Sequence, residues 1–169
     1  EKGIKPLDFS KLNELKQKSE EAFRQKSSVV SASFKQYIQP GYDDSGWEEV
    51  TLPGVWENAG HADFDGLAAY RISFTLPPGS AGKEAVLHLP AIDDIDSTFI
   101  NGQFIGTHRV WNELRTYKIG PGVLKDGKNM LTIWVEDDQG GGGLNTDAAN
   151  YYLQTASGRI DLKGTARLK

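Results

Sequence analysis

Asp94 and Asp96 stand two apart in the run Ile92-Asp93-Asp94-Ile95-Asp96, which alternates like a β-strand. Residues two apart on a strand share a face and lie about 7 Å from each other, at about 3.3 Å rise per residue. Paired carboxylates that cleave a glycosidic bond stand about 5–10 Å apart across it, so spacing alone permits acid–base hydrolysis. Two acids projecting in parallel from one sheet face do not converge on a bond, however. The expected role is structural bonding near a turn, with Arg71 and Arg115 as pairing partners, because buried carboxylates require partners. Asp93, Asp94 and Asp96 are also candidates for supplying oxygens to a calcium ion, although the spacing is not that of an EF-hand.

Nucleophilic catalysis finds less support. The histidines are His61, His88 and His108, no Gly-x-Ser-x-Gly elbow is present, and no cysteine exists to act as a thiolate. The scattered histidines lack metal-ligand spacing. Sugar binding needs aromatic faces and a few orienting polar groups, and the chain offers Trp47, Trp56, Trp111 and Trp134, with Tyr151 and Tyr152 near a glycine run. Trp134 sits in an alternating strand, which makes sheet packing its default. Trp111-Asn112-Glu113 falls in a loop beyond a hairpin. Three roles stay open for Trp111: packing against a neighbouring module, plain core, or contact with a glycan. The candidate glycan-contact set is Trp111, Asn112 and Arg115, with His61 and Asp65 as loop residues able to come near Trp111.

The elements that must position these groups change character along the chain. Between Ser10 and Lys26 the sequence is rich in Lys, Glu and Gln, with Leu12, Leu15, Ala22 and Phe23 at helical intervals and Ser10 as an N-cap. This predicts an amphipathic helix within an N-terminal segment, 1–46. Pro40-Gly41 and Asp43-Asp44-Ser45-Gly46 punctuate its end. From Trp47 the period becomes two. Ile72 and Phe74, Leu87 and Leu89, Ile95 and Phe99, and Leu131, Ile133 and Val135 form the expected core faces. Turn signals at Pro77-Pro78-Gly79, Gly120-Pro121-Gly122 and Asp126-Gly127 separate the runs. About eight short alternating strands predict an all-β fold, an antiparallel β-sandwich or jelly roll, over 47–169. Asn101-Gly102 predicts a type I′ hairpin turn. The Gly140–Gly143 run reads as a flexible loop, or as a place where another backbone or a ligand approaches closely.

These residues carry a resemblance. Trp47, Leu52-Pro53-Gly54, Trp56-Glu57, Asp65-Gly66, Tyr70-Arg71, Phe74 and Leu76-Pro77 resemble the sugar-binding domain of glycoside hydrolase family 2. Ile92 to Asp96, Ile100-Asn101-Gly102, Ile105-Gly106, Leu124-Lys125, Gly127, Asn129 and Val135 continue the pattern. Trp111-Asn112, Arg115, Tyr117, the Asp137–Gly143 loop and Ile160 to Gly164 are similar to the accessory domain of bacterial sialate O-acetylesterases. One departure is Thr165-Ala166-Arg167 after Gly164, where that family often has an aromatic residue. The resemblance implies a galactose-binding-like jelly roll with an accessory, non-catalytic role, whose partner is an esterase or glycosidase module of the same parent chain, with a glycan as a second candidate partner. The Gly-Asp-Ser and Asp-x-x-His blocks of the esterase module are missing from the chain. A periplasmic or secreted location is also implied by the resemblance.

Composition narrows the classes. Nineteen Lys and Arg against 23 Asp and Glu give a net charge of −4 over 169 residues, unlike the basic footprint of a nucleic-acid binder. No run approaches the roughly 18 apolar residues of a membrane span. No cofactor is expected. The chain starts at Glu1 without a signal peptide, which reads as a processed or excised product.

Overall fold

The structure, a computed structural model, describes residues 34–62 and 64–169. The helix expected over Ser10–Lys26 lies outside the described residues. The chain divides into two compact units, Glu1–Gln36 and Tyr37–Lys169, and the second holds all the strands described here.

Twelve strands make up this unit: β1 (Glu48–Leu52), β2 (Gly54–Val55), β3 (Gly66–Leu76), β4 (Ala85–Asp93), β5 (Ile95–Ile100) and β6 (Gln103–His108), then β7 (Leu114–Ile119), β8 (Gly127–Asp137), β9 (Gly143–Leu144), β10 (Tyr152–Thr155), β11 (Gly158–Asp161) and β12 (Gly164–Leu168). One sheet runs β1-β12-β3-β8-β5-β6. The other runs β11-β10-β4-β9-β2, with β7 on the remaining edge of β4. Every pairing is antiparallel. The all-β sandwich is therefore the fold. About eight strands are expected from the sequence and twelve are present among the described residues; β2 and β9, of two residues each, are too short to show any alternation.

The core comes from the inward faces. Ile72, Phe74, Leu87, Leu89, Leu131, Ile133 and Val135 are buried as their alternation predicts. Ile95 and Phe99 are not: they are half-buried, while Asp96, Thr98 and Ile100 of the same strand are fully buried. In β5 the inward face carries a carboxylate and a hydroxyl that are satisfied inside, so hydrophobicity marks the wrong side. Phe99 instead packs edge-on against Phe104 across the hairpin, with ring centroids 5.4 Å apart.

Strand β3 is buried on both faces from Ala68 to Arg71. The preceding segment supplies the cover. Tyr37, Tyr42 and Trp47 form an aromatic cluster with centroids 4.9–5.7 Å apart. Beneath it Arg71 pairs with Asp44 at 2.6 Å and donates to the carbonyls of Tyr37, Gln39 and Tyr42. Arg71 thus pins the entry segment rather than pairing with the acids of the Asp93–Asp96 run.

The turn at Asn101-Gly102 has φ of 52° and 81°, both positive, as a type I′ hairpin requires. Asn101 also donates through Nδ2 to the Val123 carbonyl and Asn129 Oδ1, and its Oδ1 accepts from Met130 N–H.

Candidate functional site

The loop between β6 and β7 presents the most exposed tryptophan assembly. Trp111 is 57% exposed, and its neighbours Val110 and Leu114 are exposed as well. Such a group normally flops or folds inward, because exposed apolar surface is unfavourable in water. Here the backbone beneath it is fixed. The Arg115 guanidinium donates through Nη1 to the carbonyls of Val110 (2.6 Å) and Glu113 (2.5 Å), at both ends of the turn. Its Nη2 donates to the carbonyls of Ile92 and Asp94, and its Nε to Asp96 Oδ1 at 2.8 Å. All five donors of the fork thus meet protein oxygens. His108 Nε2 and Glu113 Oε2, 2.8 Å apart, brace the loop from outside. Plain core packing is thereby excluded for Trp111, which projects from a rigid base.

Asp96 is the counterpart of Arg115. Its Oδ2 accepts from Thr98 Oγ1 and Tyr117 Oη at 2.8 and 2.7 Å. Burial, followed by the Asp96 charge, raises the Tyr117 phenol above its ordinary range. Asp94 and Asp96 therefore form no acid dyad: one lies at a loop, the other is saturated inside the core.

The sequence-derived set does not assemble as one site. Trp111, Asn112 and Arg115 share the β6–β7 loop region, with Asn112 exposed beside Trp111 and Arg115 buried below. His61 lies elsewhere. Its Nε2 contacts Glu48 Oε2 at 2.6 Å on β1, an edge strand of the six-stranded sheet whose other edge is β6. Six strands at about 4.8 Å separate those edges by about 24 Å. His61, Phe64, Trp56 and Glu48 line a small apolar hollow of about 160 Å³. A larger cleft of about 380 Å³ adjoins β1, lined in part by Glu48, Thr51, Pro53, Asn58 and Tyr70. No serine or cysteine lines either one among the described residues.

Asp65 exerts its charge on Asp137, and it is this region that the acids occupy. Carboxylate oxygens of Asp93, Asp94 and Asp137 lie within 4.8 Å of one another. Of the three acids named from the sequence, Asp96 is turned inward to Arg115, and the carboxylate beside Asp93 and Asp94 is that of Asp137. Burial, then Asp94, raises Asp93 to about 7. Burial and the charges of Asp94 and Asp65 also raise Asp137, against the lowering effect of the Gln139 N–H. The sequence signal for Asp137 was its position at a strand end, three residues before the glycine run.

That run is a close approach and not an open loop. Trp56 N–H donates to the Gly142 carbonyl at 3.2 Å, and Glu57 Oε1 accepts from Gly142 N–H at 2.9 Å. A β-carbon on Gly142 would stand 1.8 Å from the Trp56 ring.

No family model and no curated protein matches the chain. Solved structures do. A β-glucuronidase from glycoside hydrolase family 2 aligns with a TM-score of 0.55 and 24% identity over 63% of this chain. The Bacteroides uniformis β-glucuronidase aligns at 0.56 and 22% over 78%. An uncultured Clostridium sp. β-glucuronidase aligns at 0.51 and 18% over 62%. These likenesses show a shared fold. The chain spans 12%, 15% and 18% of those three chains respectively.

Proposed function

We propose that this chain is an accessory β-sandwich domain of a larger carbohydrate-active hydrolase, and that the Trp111 loop packs against a catalytic module of the same parent chain. The observation that carries this reading is the rigidly presented apolar turn of Val110, Trp111 and Leu114. Interfaces are anchored by such tryptophans, held in place before binding. Of the two parents expected from the sequence, an esterase or a glycosidase, fold neighbours that are β-glucuronidases, each far longer than this chain, support the glycosidase. The domain itself is assigned no catalysis: Asp94 and Asp96 do not converge, and the His61–Glu48 pair has no described serine or cysteine to activate. A parent that degrades glycans outside the cytoplasm would place the domain in the periplasm or beyond.

The test is a fluorescence experiment on the full reading frame. Iodide should quench Trp111 in the isolated chain and fail to reach it when the flanking module is present. Equal quenching in both would overturn the docking role. A polar-lined glycan platform is the second reading, favoured by Asn112 exposed beside Trp111. Saturable glycan binding by the isolated chain, abolished by Trp111→Ala, would establish it in place of docking. Turnover of aryl β-glucuronides by the isolated chain would sink the non-catalytic reading.

A further inference from the structure

The acidic cluster adjoins the base of the Trp111 loop, since Arg115 donates to the Asp94 carbonyl as well as to those of Val110 and Glu113. Asp93 closes β4, Asp94 follows it, and Asp137 closes β8 in the opposite sheet. Asp94 N–H donates to the Glu136 carbonyl at 3.2 Å, and Asp138 N–H donates to Asp94 Oδ2 at 3.1 Å, so the two strand ends are tied. Like charges this close repel. None of the ion pairs among the described residues engages any of the three carboxylates.

A second, independent observation points to a ligand. Asp137 is only 2% exposed; its Oδ1 accepts from Gln139 N–H, and its Oδ2 accepts nothing. A buried carboxylate oxygen without a partner is costly and rare in native proteins. Glu57 repeats the pattern nearby. Its Oε1 takes the Gly142 N–H, its Oε2 is buried without a partner, and its charge is felt at Asp93. The Arg115 guanidinium, whose Nη2 stands 3.2 Å from the Asp94 carbonyl, has spent its donors on Asp96 and four carbonyls. What this arrangement lacks is positive charge.

We propose that Asp93, Asp94 and Asp137 form a divalent-cation site of the calcium class, clamping the end of β4 to the end of β8. The donor set is all oxygen, which suits hard cations and not those that seek imidazole or thiolate. Oxygens within 4.8 Å of one another fit around one ion at the 2.3–2.6 Å of a calcium shell. Asp93 and Asp94 are half-buried, so water can complete the shell, and three carboxylates converging on one ion suit calcium, whereas magnesium keeps several waters and takes one or two carboxylates. The site is independent of the docking role proposed above.

Chelator-treated protein titrated calorimetrically with CaCl₂ should show one site per chain. Its Tm should rise by about 5–10 °C at a hundredfold excess over Kd, and MgCl₂ should bind at least tenfold more weakly. Asp137→Asn and Asp93→Asn should each abolish the shift. Asp93→Asn, at a half-exposed position, keeps the test alive if the buried variant fails to fold. Absence of binding heat with an unchanged Tm in CaCl₂ and in chelator would overturn the site, as would a full shift in Asp93→Asn. Equal or tighter binding of magnesium would overturn the calcium class.

Discussion

Arg115 Nε meets Asp96 Oδ1 at 2.8 Å with neither side chain exposed, and the pair crosses the sandwich: Arg115 lies on β7, in the sheet of β4, and Asp96 on β5, in the other. Tyr117 Oη reaches the same carboxylate from β7. A polar bridge therefore stands where two facing strands would ordinarily pack hydrophobes, and the same guanidinium holds the Trp111 loop. Core and surface loop share one side chain.

Asp96→Ala leaves that guanidinium buried without its counter-charge. Breaking a buried pair from one side costs about 3–5 kcal/mol. The near-ultraviolet circular dichroism of Trp111 should weaken in the same variant, since the turn loses its base. A loss below about 1 kcal/mol in urea titration would mean that the pair does not hold the two sheets.

Two glycines separate packing from conformation. Gly142→Ala places a methyl group against the Trp56 ring and should destabilise by about 1–3 kcal/mol or more. Gly120→Ala meets nothing within 4 Å and should change stability by less than about 0.5 kcal/mol. Equal melting of the two variants would show that the glycine run is not packed on Trp56.

Register in the sheets is tested by two phenylalanines. Phe74 is buried in the core, and Phe74→Ala should cost about 3–5 kcal/mol. Phe99 is half-buried on the outer face of β5, and Phe99→Ala should cost less than half as much. The reverse order in denaturant midpoints would restore the inward reading of Phe99.

Acid sensitivity has a local source at Asp126. Backbone N–H groups of Gly79, Ala81 and Ser80 donate to its carboxylate and hold it below its ordinary value of 3.8. A folded pKa below the unfolded one gives stabilisation that is complete above the unfolded value and lost as pH falls through the folded one. Asp126→Ala should therefore melt below the parent at pH 6, and the gap should narrow below about pH 4. A gap constant from pH 6 to pH 2.5 would remove Asp126 from the acid response.

What the sequence determined by itself was local. Period-two alternation marks β3, β4 and β8, because a strand that buries one face must repeat its hydrophobes every second residue. Asn101-Gly102 specifies its turn, because both residues must tolerate positive φ. Arg115 was already legible as a partner for the acids of the Asp93–Asp96 run. Tertiary structure decided the rest. It turned β5 over, because Asp96 finds Arg115 and Tyr117 from the opposite sheet and can then lie inside where Phe99 was expected. It exchanged Asp96 for Asp137 in the acid cluster, because strand ends 44 residues apart in the chain, at Asp93 and Asp137, are brought together by sheet order. It parted His61 from Trp111, since each belongs to a different edge of one sheet. Alternation states that two faces differ; which face is inside depends on partners that lie elsewhere in the sequence.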